Sequence, residues 1–326
     1  MSDVTLVAAV NMALKRTMAD DPSVLMLGED VGIDGGVFRA TEGLFDLYGE
    51  TRVLDTPLAE VSIAGVSIGL AAQGLRPVAE IQFTGFAYSC IDQMLNHAGR
   101  LRTRTQGRLT CPMVLRAPAG GGIHAPEHHS ESPEAMFAHC PGLKVVMPSS
   151  PARAYGLLLA AIRDPDPVVF LEPTRLYRAI REEVADTGEA LPLEKCFTLR
   201  PGADLTLVSW GAMVKETLEA AEELASGGIE AEVIDVACLK PLDDATILAS
   251  VQRTGRLVVV HEAPMTCGYG AEVVARVASG ALTSLLAPVE RVAGYDTVMP
   301  YPRTEGFYMP TTARIVAAAK RAMAYR

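Results

Sequence analysis

The sequence has no excess of positive charge, no CxxC pair, no basic leader and no apolar run of membrane-spanning length. Each absence closes off a class of function. A formal charge of -10 and an isoelectric point near 5.2 argue against nucleic-acid or anionic-membrane partners. The six cysteines are scattered, so they read as small core residues of a reducing cytosol rather than a disulfide or zinc framework. The start, Met1-Ser2-Asp3-Val4, puts no basic segment ahead of an apolar core, so no signal peptide and a cytoplasmic location are expected. What remains is 326 residues, 49% of them apolar, which is longer than one typical core supports. Two domains are expected.

The periodicity supports an α/β fold of two doubly wound domains. Leu6, Val7, Val10, Ala13 and Leu14 repeat at helical spacing, and Asp20-Asp21-Pro22 closes that helix before the short apolar run Val24 to Leu27. Strands are expected at Val78 to Phe83, Met113 to Leu115, Lys144 to Met147 and Val168 to Glu172. Helices are expected at Ile91 to Arg104 and from Pro151 to Arg163, the second capped by Ser150. Strands alternating with helices imply a parallel sheet covered on both faces. Composition turns charged and turn-forming from Arg178 to Lys195, and the pattern then restarts with strands from Leu205, Ala231 and Leu257 and helices from Met213 and Asp243. The expected division is a first domain over 1–180, a linker over 181–198 and a second domain over 199–326.

Several stretches could carry chemistry. Asp55-Thr56-Pro57-Leu58-Ala59-Glu60 runs into the apolar, glycine-spaced segment Val61 to Leu75. Thr56 is expected to cap a helix there, with Pro57 in its first turn and Glu60 just inside. No wide polar face follows, so the helix should be buried nearly all round. Spacing leaves Glu60 two roles: a proton-exchanging carboxylate beside an apolar surface, or a solvated first-turn acid favoured by the helix dipole. Gly28-Glu29-Asp30-Val31-Gly32-Ile33-Asp34-Gly35-Gly36 follows the first strand, where a parallel sheet meets its ligand. It has neither GxGxxG nor GK[ST] spacing, and its acids would repel a phosphate. Gly120-Gly121-Gly122-Ile123-His124-Ala125-Pro126-Glu127-His128-His129-Ser130-Glu131-Ser132-Pro133 is the densest polar cluster. It admits a metal site, idle loop histidines, or acid–base and anion-binding work. His261-Glu262 ends a strand as either ligand or structural residues, and Ala161 to Asp166 ends a helix as either a turn or a hard-cation site.

Taken together these residues resemble the beta subunit of the decarboxylating component of 2-oxoacid dehydrogenase complexes, the pyruvate, branched-chain and acetoin family with separate alpha and beta chains. The likeness rests on Gly28-Glu29-Asp30-Val31, Arg52 to Glu60, Gly74-Leu75-Arg76-Pro77-Val78, Asp92-Gln93, His129 to Ala135, Pro141 to Val146 and Phe170-Leu171-Glu172-Pro173, in family order. It implies a thiamine diphosphate pyrimidine-binding domain followed by a transketolase C-terminal-like domain that assembles subunits and docks the acyltransferase core. It implies an alpha2beta2 heterotetramer in which the alpha chain holds the diphosphate and magnesium. This chain accordingly shows no GDG followed some thirty residues later by Asn. By resemblance, Glu60 hydrogen-bonds the pyrimidine and promotes its imino tautomer, Gln82 and Phe86 lie beside that ring, and His129 orients substrate and assists acyl transfer to a lipoyl group. Met113, Ala161, Ile162, Asp164 and Asp166 match a structural potassium site built largely from carbonyls. The resemblance thus implies oxidative decarboxylation of a 2-oxoacid, with pyruvate the first choice and a branched-chain 2-oxoacid or acetoin next. A noncatalytic assembly subunit and a dinucleotide-binding oxidoreductase are the other readings, the latter disfavoured by the missing fingerprint. The chain departs from the family at His128 and Glu131, where added charge bears on substrate choice, and at Asp166, which stands where Asn is common.

Overall fold

A computed structural model describes residues 2–325. The chain falls into two compact units, one running to Ala119 and resuming over Met136–Leu193, the other made of Gly120–Ala135 and the residues from Glu194 onward.

The first unit is built on six parallel strands in the spatial order Lys144–Val146, Val168–Pro173, Val114–Ala119, Arg76–Glu80, Val24–Gly28, Val53–Asp55. Val24–Gly28, Val114–Ala119 and Val168–Pro173 are buried at every position, as strands covered on both faces must be. The Leu6–Asp20 and Pro151–Arg163 helices pack on each other. Thr5 caps the first by accepting from Ala8 N at 3.4 Å, and Ser150 caps the second by accepting from Arg153 N at 3.4 Å, with Pro151 in the first turn as expected. From Val24–Gly28 the chain crosses outward to Val53–Asp55, whereas Arg76–Glu80 on the other side leads away to Val114–Ala119. Connections leaving in opposite directions open a crevice at the carboxyl ends of those two central strands.

The second unit holds five strands in the order Glu290–Gly294, Leu257–Pro264, Leu205–Ser209, Ala231–Asp235, Phe197–Arg200, parallel except the last. Leu205, Leu207, Val233, Val258 and Val260 meet Leu224, Ile315 and Ala319 from the Met213–Ser226 and Thr312–Ala324 helices in one core. The Asp244–Thr254 helix is capped by Asp243, which accepts from Thr246 N at 3.3 Å.

Several expectations need correction. The helix after Asp55 starts at Glu60, not at Pro57, because Thr56 N is held by Gly28 O at 2.9 Å and Ala59 stands before the first turn. That helix is not buried all round: Val61 and Val66 are 44% and 54% exposed, although Ile63, Ala64, Ser67 and Ala71 are buried. Ile91 to Arg104 is not one helix but Ile91–Asn96, a short 3-10 turn at Ala98–Arg100, and Leu101–Arg104. The break follows from packing, since a Cβ on Gly142 would stand 1.9 Å from Gly99 O and the two backbones touch. Within the stretch expected to link domains, Arg181–Val184 pairs antiparallel with Ser2–Thr5, and Phe197–Arg200 is an edge strand of the second sheet. Among the described residues no helix is long and apolar enough to cross a membrane.

Candidate functional site

The crevice of the first unit gathers three of the residues singled out in the sequence. Gly28 ends the central strand where an added Cβ would stand 2.7 Å from Glu80 O, so glycine lets the two strand ends close up. Glu29 follows, 3% exposed, with Oε1 lacking any hydrogen-bond partner. Burial, and then the neighbouring Glu60 and Asp30 carboxylates, push its carboxyl above the usual range. Glu60 opens the next helix half-buried, and its carbonyl accepts from Cys90 Sγ at 3.2 Å. Gln82 Nε2 donates to Asp30 Oδ2 at 2.8 Å, so the Glu29-Asp30 pair links Glu60 to Gln82. Phe86 lies edge-on to Phe83 at 6.3 Å between centroids, and Phe83 is edge-on to Phe38 at 5.4 Å. Asp55 anchors the glycine loop by accepting from Gly32 N at 2.6 Å. Paired acids, a carboxamide and an aromatic wall suit a flat heterocycle that exchanges protons, and the unpartnered Glu29 Oε1 and Thr56 Oγ1 leave buried polar atoms for it to satisfy. In the sequence Glu29 stands out only as a charge that repels anions; its place directly after a buried parallel strand is the signal for more.

Beneath this crevice lies a buried charge cluster. Arg116, 1% exposed, donates to both Glu172 oxygens at 2.7 Å and pairs closely with Glu80, while Tyr177 donates to Glu172 at 2.6 Å.

His129 belongs to the second unit, on the loop from Gly120 to Ala135. It sits in a 3-10 turn, Glu127–His129, half-buried, with its ring 4.3 Å from that of His128. Partial burial and the neighbouring His128 hold its pKa below the usual histidine value, leaving a neutral ring at pH 7 that can accept a proton. His128 is exposed and faces Glu127 at 3.8 Å. The loop's ends are fixed by buried acids. Glu262 accepts closely from Gly121 N and at 3.2 Å from Ser132 Oγ; Glu305 accepts from Gly122 N at 2.7 Å and meets His124 Nδ1 at 3.0 Å. Ser132 therefore bonds Glu262 at the entry to the Glu134–His139 helix. Trp210 Nε1 donates to Glu134 at 3.3 Å. A cavity of about 410 Å³ beside the loop is lined by Ser130, Glu131, Ser132, Asp296, Met299 and Tyr308, among others. Of the pair weighed in the sequence, His261 is structural: wholly buried, it stacks on Trp210 at 5.3 Å, and burial lowers its pKa to about 4. Among the described residues no three His, Cys, Asp or Glu side chains gather as a metal site.

Three of the residues matched to potassium, Ile162, Asp164 and Asp166, meet cations of the chain's own. Arg76 Nη1 donates to Ile162 O at 2.9 Å and Asp164 O at 3.1 Å, so these carbonyls converge on one positive group. Met113 O accepts from Val168 N, Ala161 O accepts from Asp164 N, and the Asp164 and Asp166 carboxylates pair with Lys144 and Arg102. A GxSxG spacing, Gly65 to Gly69, lies within a helix, where Ser67 Oγ donates to Ile63 O at 2.8 Å; it forms no nucleophile elbow.

Two family models cover this architecture: the transketolase pyrimidine-binding domain matches residues 2–180 and the transketolase C-terminal domain residues 194–315. The class is therefore that of thiamine-dependent, transketolase-type proteins. The chain is 48% identical to the pyruvate dehydrogenase E1 component subunit beta of Bacillus subtilis (strain 168), over all of both chains. It is 47% identical to that of Staphylococcus epidermidis (strain ATCC 12228 / FDA PCI 1200) and 46% to that of Staphylococcus aureus (strain MRSA252), again over full length. A split-gene transketolase, described as an inactive beta4 tetramer, shares the fold with a TM-score of 0.82 over 99% of each chain at 23% identity. The chain belongs to the family of beta subunits of the thiamine-diphosphate-dependent E1 component of 2-oxoacid dehydrogenase complexes.

Proposed function

We propose that the chain is the beta subunit of a pyruvate dehydrogenase, working with an alpha subunit in an alpha2beta2 heterotetramer that passes an acyl group to the lipoyl domains of an acyltransferase core. The observation that carries this reading is the crevice, where Glu60 stands beside the buried Glu29, whose Oε1 has no hydrogen-bond partner, and near the Asp30–Gln82 pair. The bound cofactor supplies the carbon centre at which a 2-oxoacid loses carbon dioxide. Glu60 exchanges a proton with the aminopyrimidine, Gln82 and Phe86 orient that ring, and the Phe38–Phe83–Phe86 wall excludes water. His129, neutral at pH 7, orients substrate and holds the proton exchanged during acyl transfer. The diphosphate and its magnesium fall to the alpha chain. Support for a partner comes from Leu58, Val61 and Val66, before and on the helix that Glu60 opens, which are 82%, 44% and 54% exposed. Potassium at the Met113, Ala161, Ile162, Asp164 and Asp166 segment would share Ile162 O and Asp164 O with Arg76. Thermal melts in potassium against sodium test that: a site of this kind raises the midpoint in potassium alone.

The decisive experiment is Glu60→Gln in the reconstituted heterotetramer, assayed with pyruvate, 2-oxoisovalerate and acetoin. Decarboxylation should be lost with assembly intact; full activity would sink the assignment, and the wild-type preference among the three substrates identifies the reaction.

A further inference from the structure

Gly120-Gly121-Gly122 has the look of an anion-binding turn, yet its amides are already committed. Gly121 N donates to Glu262 and Gly122 N to Glu305. Both carboxylates are buried, 7% and 2% exposed, and they come from different elements, the end of the Leu257–Pro264 strand and the Pro302–Tyr308 helix. Glycine is required for this approach. Gly120 and Gly122 have φ of +86° and +77°, and a Cβ on Gly121 would stand 2.3 Å from Met299 Cε. Downstream the same two acids take Ser132 Oγ and His124 Nδ1, so they grip the loop on both sides of Glu127–His129.

We propose that Glu262 and Glu305 are positioning residues that clamp the Gly120–Ser132 loop and so fix the orientation of His129. A neutral ring at a loop tip reaches a reacting group only if the loop is fixed, and a displacement of about 1 Å is worth on the order of a hundredfold in rate. A hydrogen bond from a backbone amide to a buried side-chain oxygen fixes that backbone, since breaking it leaves both groups buried and unsatisfied. The inference rests on the proposed role of His129 in acyl transfer.

The test uses the reconstituted heterotetramer with Glu305→Ala, Glu305→Gln, His129→Ala and the Glu305→Ala/His129→Ala double variant. Each is measured for acylation of a free lipoyl domain, for decarboxylation with an artificial electron acceptor, and for amide hydrogen exchange over residues 120–132. Glu305→Ala should speed exchange in that segment and lower the turnover number for acylation by about tenfold or more, with decarboxylation falling much less and KM for the lipoyl domain little changed. Glu305→Gln, which keeps an oxygen acceptor for Gly122 N, should recover most of the loss, and the double variant should lose no more than His129→Ala alone. If Glu305→Ala fails to assemble, Glu305→Asp withdraws the acceptor while keeping the charge and serves in its place. Unchanged exchange, unchanged acylation, or an equal fall in both half-reactions overturns the clamp. If His129→Ala itself leaves acylation intact, the histidine's role is refuted instead, and faster exchange in Glu305→Ala would still report the clamp.

Discussion

Glu134 is 1% exposed beside Trp210, and burial pushes its carboxyl up to about 7. In an unfolded chain a glutamate titrates near 4.3. The folded protein therefore keeps a proton that the unfolded chain has released, so stability declines as pH rises through that interval, by about 4 kcal/mol in all. His261 works in the opposite sense: its pKa, lowered to about 4, contributes stability that is present above about 6.5 and lost as pH falls towards 4. Glu134→Gln keeps an acceptor for Trp210 Nε1 and removes the titration. Its melting temperature should rise relative to wild type at pH 8 and stay close to it at pH 5; equal shifts at both would reject the assignment. Residues of this kind were only partly legible. Glu60 stood out because a carboxylate met an apolar helix, and His129 because the polar cluster around it was dense. Glu262 stands in the sequence as half of an ambiguous His-Glu pair, and nothing local marks Glu305. Their partners are 141 and 183 positions away along the chain, a separation no local pattern encodes.

At the level of elements, parallel strands announced themselves as short apolar runs, and the Met213–Ser226 helix ran where its periodicity placed it. Beyond Val260 the chain adds the Gly270–Gly280 and Thr312–Ala324 helices, which lie outside the periodic segments set out above. The break within Ile91 to Arg104 was illegible because its cause lies on another segment, the Gly99–Gly142 contact. The Glu80, Arg116 and Glu172 cluster ties three adjacent strands together at their carboxyl ends. Burial pushes the Glu80 carboxyl up even beside Arg116, so the cluster holds two acids that depend on a single cation. Arg116→Met should cost about 3–5 kcal/mol by leaving both buried without their partner. Chemical denaturation of the variant checks this, and a loss below about 1 kcal/mol would mean the acids simply take up protons.

On the scale of the whole molecule, the expected dependence on a second chain follows from what this one leaves open. Val61 and Val66 are exposed on the helix that Glu60 opens, whose other face is buried, and exposed apolar residues of this kind suit a surface awaiting cover. Val66→Glu should weaken co-elution with the alpha subunit by at least about tenfold in affinity while leaving the chain's own melting temperature unchanged, since the side chain is exposed. Retained affinity would place the interface elsewhere. The chain alone should turn over none of the three substrates, and activity without an alpha partner would overturn the division of labour.

The sequence by itself determined the α/β class, the family and the identity of the acids and histidines to weigh. Each of these depends on local periodicity or on short runs of residues kept in order. Tertiary structure decided the rest. It placed Glu29 beside Glu60, turned the triple glycine from an apparent anion site into a backbone held by two buried carboxylates, and set Arg76 at the carbonyls matched to potassium. Hydrogen bonds and burial between distant segments are free-energy terms of the folded chain, and no single stretch of sequence contains both halves of them.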